Sequence, residues 1–354
     1  MKILITGVGG PTPRSFANAL KSFSSYANYE FIATDINPLA IGLYQKDLFS
    51  KVYVVPPASN KNYWEVIENI IKGNNIEYAV ILPELEILEW SKKQQVDTLP
   101  CKTLLPDYQL AQLLVDKAKM TEVLKNMDVV PRSVEFARDK KDLTTIGTAL
   151  GYPYWVRSTS GSSGLGSLKI ENIESLENWI DINPKVTHFL ASSFLPGRNL
   201  ACKLLYYEGR LVRAAVGERV NYIMAKVAPS GITGNTSFGR LLNEPGIVTI
   251  GQKAMERMFT YTNTKPHGFF TVDLKEDTHG NPYITEINVR HVAFTQCFAA
   301  GGANFAEDTM RLLDEDPDFD KEFSIYEFEN DLIFLRDVDE RPILMKEHKL
   351  LKRL

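Results

Sequence analysis

The first hundred residues alternate between short apolar runs and helical stretches, and this alternation constrains the fold more than any other feature. The segments MKILITG, YEFIATDI, KVYVVP and EYAVILP are short and β-rich, as buried strands are. Helical stretches such as residues 14–23 and 62–72 separate them. Strands that alternate with helices favour a parallel, doubly wound sheet, because each parallel connection needs a crossover. We therefore predict an α/β fold that begins with such a sheet.

The composition excludes several classes of protein. The 354 residues suffice for two or three domains, and 44% hydrophobic with 24% charged residues is typical of a soluble globular protein. A net charge of -4 offers no basic field for nucleic acid or a membrane, and the sequence has no apolar run of about 18 residues. Cys101, Cys202 and Cys297 are few and far apart, which favours reduced thiols over disulfides or a zinc site. We expect a cytoplasmic protein.

Two further units follow the first sheet. Two short helices, DYQLAQLL and DKAKMTEVLKNM, lead into a second α/β unit over residues 134–194, with a helix at LTTIGTALG and strands at YPYWVRS, SLKI and THFLASSF. A third unit holds long antiparallel strands in NLACKLLYYEGRLVRAAVGER and a helix around residues 250–261. The tail after residue 313 offers two strand-like runs, DLIFLRDV and RPILMKE, which leave both a covered sheet edge and a homodimer contact open.

Two segments of the third unit place polar side chains on one face of a hairpin. GFFTVDL carries Asp273, YITEINVR carries Glu286, Asn288 and Arg290, and the connection KEDTHGNP has the composition of a tight turn. Because strand side chains alternate, the second set projects from one side, where the partner strand can add Asp273. Carboxylate and amide oxygens suit Mg²⁺, and an arginine suits a phosphate. A merely hydrated strand face is the alternative interpretation.

Two glycine-rich segments offer further candidates. The first βα turn, GVGGP, with Asp35 at the end of the second strand, suggests a dinucleotide loop, but Thr12 stands where the GxGxxG fingerprint needs glycine. The alternative of a nicotinamide-dependent oxidoreductase rests only on this turn and Asp35, and the glycines otherwise only relieve steric crowding. The loop TSGSSGLGS follows the strand of Arg157 and lets backbone N–H groups approach a phosphate, although flexible hairpins share its composition.

Two shorter motifs carry weaker signals. Asp116 and Lys117 open a helix, where the dipole favours the acid and the lysine is either hydrated or bound to a phosphate. The segment SSFLPGRN, residues 192–199, is a strand that runs into a Pro-Gly turn. Its backbone groups and apolar wall suit an adenine edge, and an ordinary strand end is the alternative.

The order of these motifs resembles that of the ATP-grasp superfamily. The chain is most similar to stand-alone proteins that resemble half of a carbamoyl-phosphate synthase large subunit, over roughly residues 1–312. The resemblance implies a Rossmann-like domain at 1–106, a small flap subdomain with its helical lead-in at 107–194, a C-terminal subdomain with the metal site at 195–312 and a tail at 313–354. Together the middle two would form the two-subdomain grasp.

The resemblance also implies roles for individual residues. Lys117 and Arg157 would contact the ATP phosphates, and Arg157 and Arg290 would act on the transferred phosphoryl group. Asn199 stands where relatives often carry a glutamate for the ribose. The other nucleotide contacts would come from the Gly/Ser loop and the adenine segment: Ser160, Gly161, Ser162, Ser163, Gly164, Ser192, Phe194, Leu195 and Asn199.

The implied activity is the ATP-dependent ligation of a small-molecule carboxylate to an amine through an acyl phosphate. Asp273, Glu286 and Asn288 would hold Mg²⁺, with Mn²⁺ as an alternative. Two other activities stay open: phosphorylation of carbamate or a carboxylate without ligation, and non-catalytic ATP binding. Contact with the substrate carboxylate is expected from one of these residues: Arg219, Arg240, His291, Thr295 or Gln296.

Overall fold

The N-terminal unit is a parallel four-stranded sheet with helices around it. The computed structural model describes residues 1–159, 167–337 and 343–349. The first sheet has the order β3-β2-β1-β4, and each pairing is parallel, as the alternation predicts. Ile3 and Ile5 lie in one core layer and Leu4 in the other, so both faces are covered. The elements are β1 (Lys2–Thr6), α1 (Pro11–Phe23), β2 (Glu30–Asp35), β3 (Lys51–Val54), α2 (Tyr63–Asn74), β4 (Tyr78–Val80) and α3 (Glu84–Val96).

Two helices and a small antiparallel sheet follow. The sheet has the order β5-β8-β6-β7. Tyr154 and Val156 are buried in its core, so their neighbours Trp155 and Arg157 face the opposite side of the sheet. The elements are α4 (Tyr108–Val115), α5 (Lys117–Leu124), β5 (Ser133–Ala137), α6 (Thr144–Leu150), β6 (Tyr154–Ser158), β7 (Leu168–Ile170), α7 (Ile173–Ile182) and β8 (His188–Ser193).

The C-terminal unit is built on a large sheet with the order β13-β12-β9-β10-β11-β15-β16, and β14 pairs with β10. The tail strand β15 pairs with β11, so the described part of the tail covers that edge of the sheet. The elements are β9 (Asn199–Tyr207), β10 (Arg210–Tyr222), β11 (Thr236–Leu242), α8 (Pro245–Thr262), β12 (Gly268–Glu276), β13 (Pro282–Asn288), α9 (Thr295–Ala300), α10 (Phe305–Leu313), β14 (Ser324–Ile325), β15 (Leu332–Leu335) and β16 (Ile343–Lys346).

The large sheet is buried on both faces. On β9, Cys202 and Leu204 share a core with α8, whereas Ala201 and Leu205 share a core with α9 and α10. The lead-in helices α4 and α5 also pack into the core with α8. This explains why β9 reads as a continuous apolar run, interrupted only by Lys203.

Polar contacts fix the N-terminal unit on the C-terminal unit. The backbone N–H of Gln296 donates to the Ser15 hydroxyl over 2.8 Å. The hydroxyls of Tyr26 and Tyr78 both donate to the Asp314 carboxylate, over 2.6 and 2.5 Å. These contacts join α1 and β4 to α9 and the end of α10, and the start of α1 and the segment after β4 line the same cavity as the β12–β13 hairpin. Across the described residues, the helices fall short of the length and apolar character that a bilayer crossing requires.

Candidate active site

The β12–β13 hairpin brings the predicted acidic side chains together. Asp273 pairs directly with Glu286, and Thr271 pairs with Asn288 in the same antiparallel ladder. The Asn288 amide nitrogen donates to Asp273 Oδ2 over 3.1 Å, so its carbonyl oxygen is the atom left for a cation. The ladder shifts register between Asp273 and Leu274, directly beside this pair. Period-two alternation and the turn composition therefore predicted the hairpin correctly.

Each carboxylate of the hairpin has a cationic partner from another element. Arg219 Nη2 of β10 lies 2.5 Å from Asp273 Oδ1, and Lys117 Nζ lies 3.3 Å from Glu286 Oε1. Burial raises the pKa of Asp273 to about 6, although the Arg219 charge works in the opposite direction. Positive charge from Arg219 and Lys117 thus flanks the acidic face and offsets part of the cost of burying Asp273.

The start of α5 positions Lys117. The Asp116 side chain caps the helix by accepting the backbone N–H groups of Ala118 and Lys119, each over 3.1 Å. The Lys117 N–H donates to the Thr159 carbonyl over 2.9 Å, which ties this helix to the end of β6. The cap and the lysine therefore have separate tasks, since the first fixes the helix and the second reaches the acidic face.

Arg157 approaches the same face from the small sheet. It is on the side of β6 that faces away from the core of the small sheet, together with Trp155. Burial lowers the pKa of Arg157, and the charges of Glu286 and Asp273 oppose that change. The carboxylates thus stabilise the guanidinium in its enclosed position.

A cavity of about 420 Å³ connects these groups. The Ser192 hydroxyl lies 2.9 Å from that of Ser133, and Lys169 Nζ lies 4.8 Å from the ring centre of Phe194. Asn199 opens β9 and pairs with Arg219 on one side and Lys275 on the other. The predicted residues that line the cavity are Lys117, Arg157, Ser192, Phe194, Leu195, Asn199, Arg219, Asp273, Glu286, Asn288 and Arg290. The predicted loop residues Ser160, Gly161, Ser162, Ser163 and Gly164 lie outside the described residues.

Arg290 follows the end of β13 and joins two units. Its Nη2 lies 3.3 Å from Glu84 Oε1 at the start of α3, and its Nη1 donates to the His291 carbonyl over 3.1 Å. The guanidinium is therefore held where the acidic face meets the N-terminal unit.

Of the two arginines that were candidates for contact with the substrate carboxylate, only one lies at the cavity. Arg219 lines the cavity, but Arg240 does not, and it instead pairs with Glu218 and Glu347, each over 3.0 Å. The reason is strand alternation, because Arg240 pairs in register with Glu218, whose side chain lies on the opposite face from that of Arg219. The expectation for Arg240 is therefore corrected.

The segment after Arg290 turns its polar side chains away from the cavity. His291 is buried and stacks on Phe269 with ring centres 3.7 Å apart, and burial lowers its pKa well below the usual value. The Thr295 hydroxyl donates to the Val292 carbonyl over 2.8 Å, and the Gln296 backbone N–H donates to Ser15 in the N-terminal unit. These three residues lie in the packed junction between units, and Val292 lines the cavity in their place.

Asp35, the acidic residue of the dinucleotide interpretation, is engaged within the protein. The Asp35 carboxylate accepts the N–H groups of Gly9 and Asn37, over 2.7 and 2.8 Å. It therefore stabilises its own loop. The glycine turn itself lines the cavity, with Gly7 and Gly10 among the lining residues.

Sequence patterns missed several residues of the cavity. Lys275 lines it and donates to the Gly197 carbonyl over 3.0 Å. It follows Asp273 by two positions on β12, so the period of the strand could have identified it. Tyr222 and Asn235 also line the cavity, but no local motif marks them.

Comparison with solved structures identifies the fold. The N5-carboxyaminoimidazole synthetase of Staphylococcus aureus, complexed with ADP, superposes with a TM-score of 0.69 at 14% identity, over 94% of this chain and 81% of that one. An L-amino acid ligase from Bacillus licheniformis gives a TM-score of 0.64 at 15% identity, over 94% and 78% of the two chains. These proteins are ATP-grasp ligases. The chain has the ATP-grasp fold.

A carboxylase extends the set of proteins with this fold. The biotin carboxylase domain of Hydrogenobacter thermophilus 2-oxoglutarate carboxylase, a dimer with MgADP and bicarbonate, gives a TM-score of 0.68 at 16% identity, over 95% of this chain and 74% of that one. Neither the scan of protein-family models nor the search of curated proteins found a match. The ATP-grasp fold was thus predicted correctly from the order of its motifs.

Proposed function

We propose that this protein is an ATP-dependent ligase that joins a carboxylate to an amine, with Mg·ATP in the cavity between its units. The observation that carries the proposal is the cavity wall itself. Two paired carboxylates, Asp273 and Glu286, and three cationic side chains, Lys117, Arg157 and Arg290, line the same space of about 420 Å³. That combination suits a triphosphate with a divalent cation and leaves room for a small acid.

The donor set fits Mg²⁺ or Mn²⁺. Asp273, Glu286 and the Asn288 carbonyl are hard oxygen donors on one hairpin face, and Mg²⁺ commonly takes one or two carboxylates and completes its shell with water and phosphate. No cluster of three or more His, Cys, Asp and Glu side chains suited to a metal occurs in residues 1–159, 167–337 and 343–349. When bound, the metal would neutralise charge on the phosphoryl oxygens.

The nucleotide would lie between the small and large sheets. Lys117 and Arg157 bind its phosphates, and the segment Ser192, Phe194 and Leu195 holds the adenine, with Asn199 near the ribose. We assign these roles because the residues line one cavity and because their motifs follow the order described above. The Staphylococcus synthetase in complex with ADP and the carboxylase domain with MgADP support a nucleotide in a protein of this fold.

The proposed reaction has two steps. An oxygen of the substrate carboxylate attacks the γ-phosphorus of ATP, and the bond to the bridging oxygen of ADP breaks. The amine nitrogen then attacks the acyl carbon, phosphate leaves, and the nitrogen releases a proton. Arg290 and Arg157 balance the charge that spreads over the phosphoryl oxygens. Arg219 holds Asp273 in place and, in addition to Arg290, offers its guanidinium to the substrate carboxylate.

Release of ADP and phosphate from Mg·ATP, across a panel of acids with and without amines, tests this function. A ligase forms ADP when both an acid and an amine are present. ADP formation with the acid alone would favour the phosphorylation alternative, and tight ATP binding without turnover would favour the binding module. Glu286→Gln should lower turnover about 100-fold or more. The exposed Glu177→Gln serves as the matched control.

A further inference from the structure

The cavity ends against a wall that differs from the rest of its lining. Cationic and acidic side chains line the part formed by the two grasp subdomains. The wall formed by the N-terminal unit and the segment after Arg290 is mainly apolar. Its described members are Gly7, Gly10, Pro11, Pro13, Leu82, Pro83, Val292 and Ala293, together with Thr12, the one polar side chain among them.

The start of α1 contributes few hydrogen-bond donors to this wall. A helix normally exposes the first four N–H groups, which makes its N-terminus an anion site. Here Pro11 and Pro13 have no N–H, and the Gly10 N–H already donates to the Gly7 carbonyl over 3.1 Å. Thr12 remains as the one position of these four that can donate to a ligand. Such a helix end is poorly suited to a phosphate, which needs several donors at once.

Within residues 1–159, 167–337 and 343–349, the charged side chains near this wall are acidic or are engaged elsewhere. Glu84 belongs to the N-terminal unit, and its Oε1 lies 3.3 Å from Nη2 of Arg290. Asp35 bonds the glycine loop behind the wall. Arg14 is buried in α1, its Nε donates to the Gly10 carbonyl over 3.3 Å, and it does not line the cavity. A second carboxylate or a phosphate on the substrate would therefore meet apolar surface and like charge.

We propose that the acid substrate carries a short, uncharged, mainly apolar side chain that packs against this wall. The inference rests on the proposed ligase function, because it takes the carboxylate of the acid to lie beside Arg290 and the acidic face. From there the remainder of the acid extends toward Leu82, Pro83, Val292 and Ala293. Burying a charged group against these residues without a partner would cost far more than burying a methyl or isopropyl group.

Binding and turnover should be measured separately with three matched probes: L-valine, L-aspartate and O-phospho-L-serine. Binding is followed by saturation-transfer NMR and melting-temperature shifts on the full chain with Mg²⁺ and a non-hydrolysable ATP analogue. We expect L-valine to bind at least about tenfold more tightly than either charged acid. Equal or tighter binding of the phosphorylated or dicarboxylic acid, or binding of none of the three, would overturn the inference.

Thr12→Lys tests the wall directly, and Thr12→Met is the control of similar length without charge. The lysine should shift the binding ratio toward O-phospho-L-serine about tenfold or more, and the methionine should not. An equal change in both variants would contradict the inference. Acid-dependent ADP formation reports on the ligase function instead. Selective L-valine binding without turnover with any amine would remove the ligase function but retain the apolar subsite.

Discussion

Replacing Lys203 by methionine should stabilise the protein at neutral and acidic pH. Lys203 lies on β9 and is fully buried. Its Nζ lies 4.9 and 4.7 Å from the ring centres of Phe294 and Phe298, and no hydrogen-bond acceptor reaches it among the described residues. The rings offset part of the desolvation cost of an ammonium group, but they cannot replace its hydrogen bonds with water.

The magnitude follows from the pKa of this lysine. The pKa is lowered from 10.5 to about 7, mainly by burial and also by the Arg219 charge, while Cys297 and Asp273 oppose the change. The neighbouring His291 is neutral, because burial lowers its own pKa. A lowering of this size corresponds to about 5 kcal/mol. That figure is the upper bound on what removing the charge can gain.

The sign follows from proton linkage. Between pH 7 and 10.5 the unfolded chain binds more protons at Lys203 than the folded chain does, so the wild-type protein gains stability as the pH rises. Below pH 7 the lysine is charged in both states and the full cost remains. The advantage of Lys203→Met should therefore be greatest at pH 6 and should fall to about 1 kcal/mol at pH 10.

Urea unfolding at pH 6, 8 and 10 measures this difference, and titrating groups that do not interact with Lys203 cancel between variant and wild type, whereas Asp273, His291 and Cys297 do interact with it. Lys253→Met, on the exposed face of α8, is the matched control and should change the free energy of unfolding by less than about 0.5 kcal/mol at each pH. A destabilised Lys203→Met protein at pH 6, or an advantage that does not vary with pH, would refute the reasoning.

Four other substitutions give three further predictions. Burial raises the pKa of Asp308 to about 7, so its contribution to stability is present below about pH 4 and is lost as the pH rises through 7. In Asp308→Asn the urea concentration at the unfolding midpoint should therefore depend less on pH between about 4 and 7 than it does in the wild type. Arg219→Met should lower kcat/KM for the acid at least about tenfold, because it also releases Asp273, whereas Arg240→Met should change it less than about threefold; steady-state kinetics that give similar losses would contradict the assignment. Removing the Asp116 cap with Asp116→Ala should cost about 1 kcal/mol in urea unfolding, and no loss would show that the cap is dispensable.

Local patterns predicted the parts of the site that one hairpin supplies. The pairing of Asp273 with Glu286 follows from period two and a tight turn, both readable within about twenty residues. The parallel first sheet followed from its alternation with helices in the same way. These features need no knowledge of how distant segments meet.

Contacts between distant segments could not be predicted from spacing. Glu84 meets Arg290 across 206 positions, and α3, which carries Glu84 at its start, lacks a clean apolar stripe because the acidic Glu86 is buried in it. Arg219 and Arg240 were equivalent candidates in the sequence. Only the register of β10 against β11 shows that they occupy opposite faces of the sheet.

The central claim is that the substrate acid is activated by phosphoryl transfer within this cavity. The most direct measurement uses an acid labelled with ¹⁸O in its carboxylate, together with Mg·ATP and an amine, and determines the isotopic content of the released phosphate by mass spectrometry. Since the acid oxygen that attacks phosphorus leaves with the phosphate, the account predicts one ¹⁸O in each phosphate formed during ligation. Phosphate without ¹⁸O, released while the amide product accumulates, would contradict it.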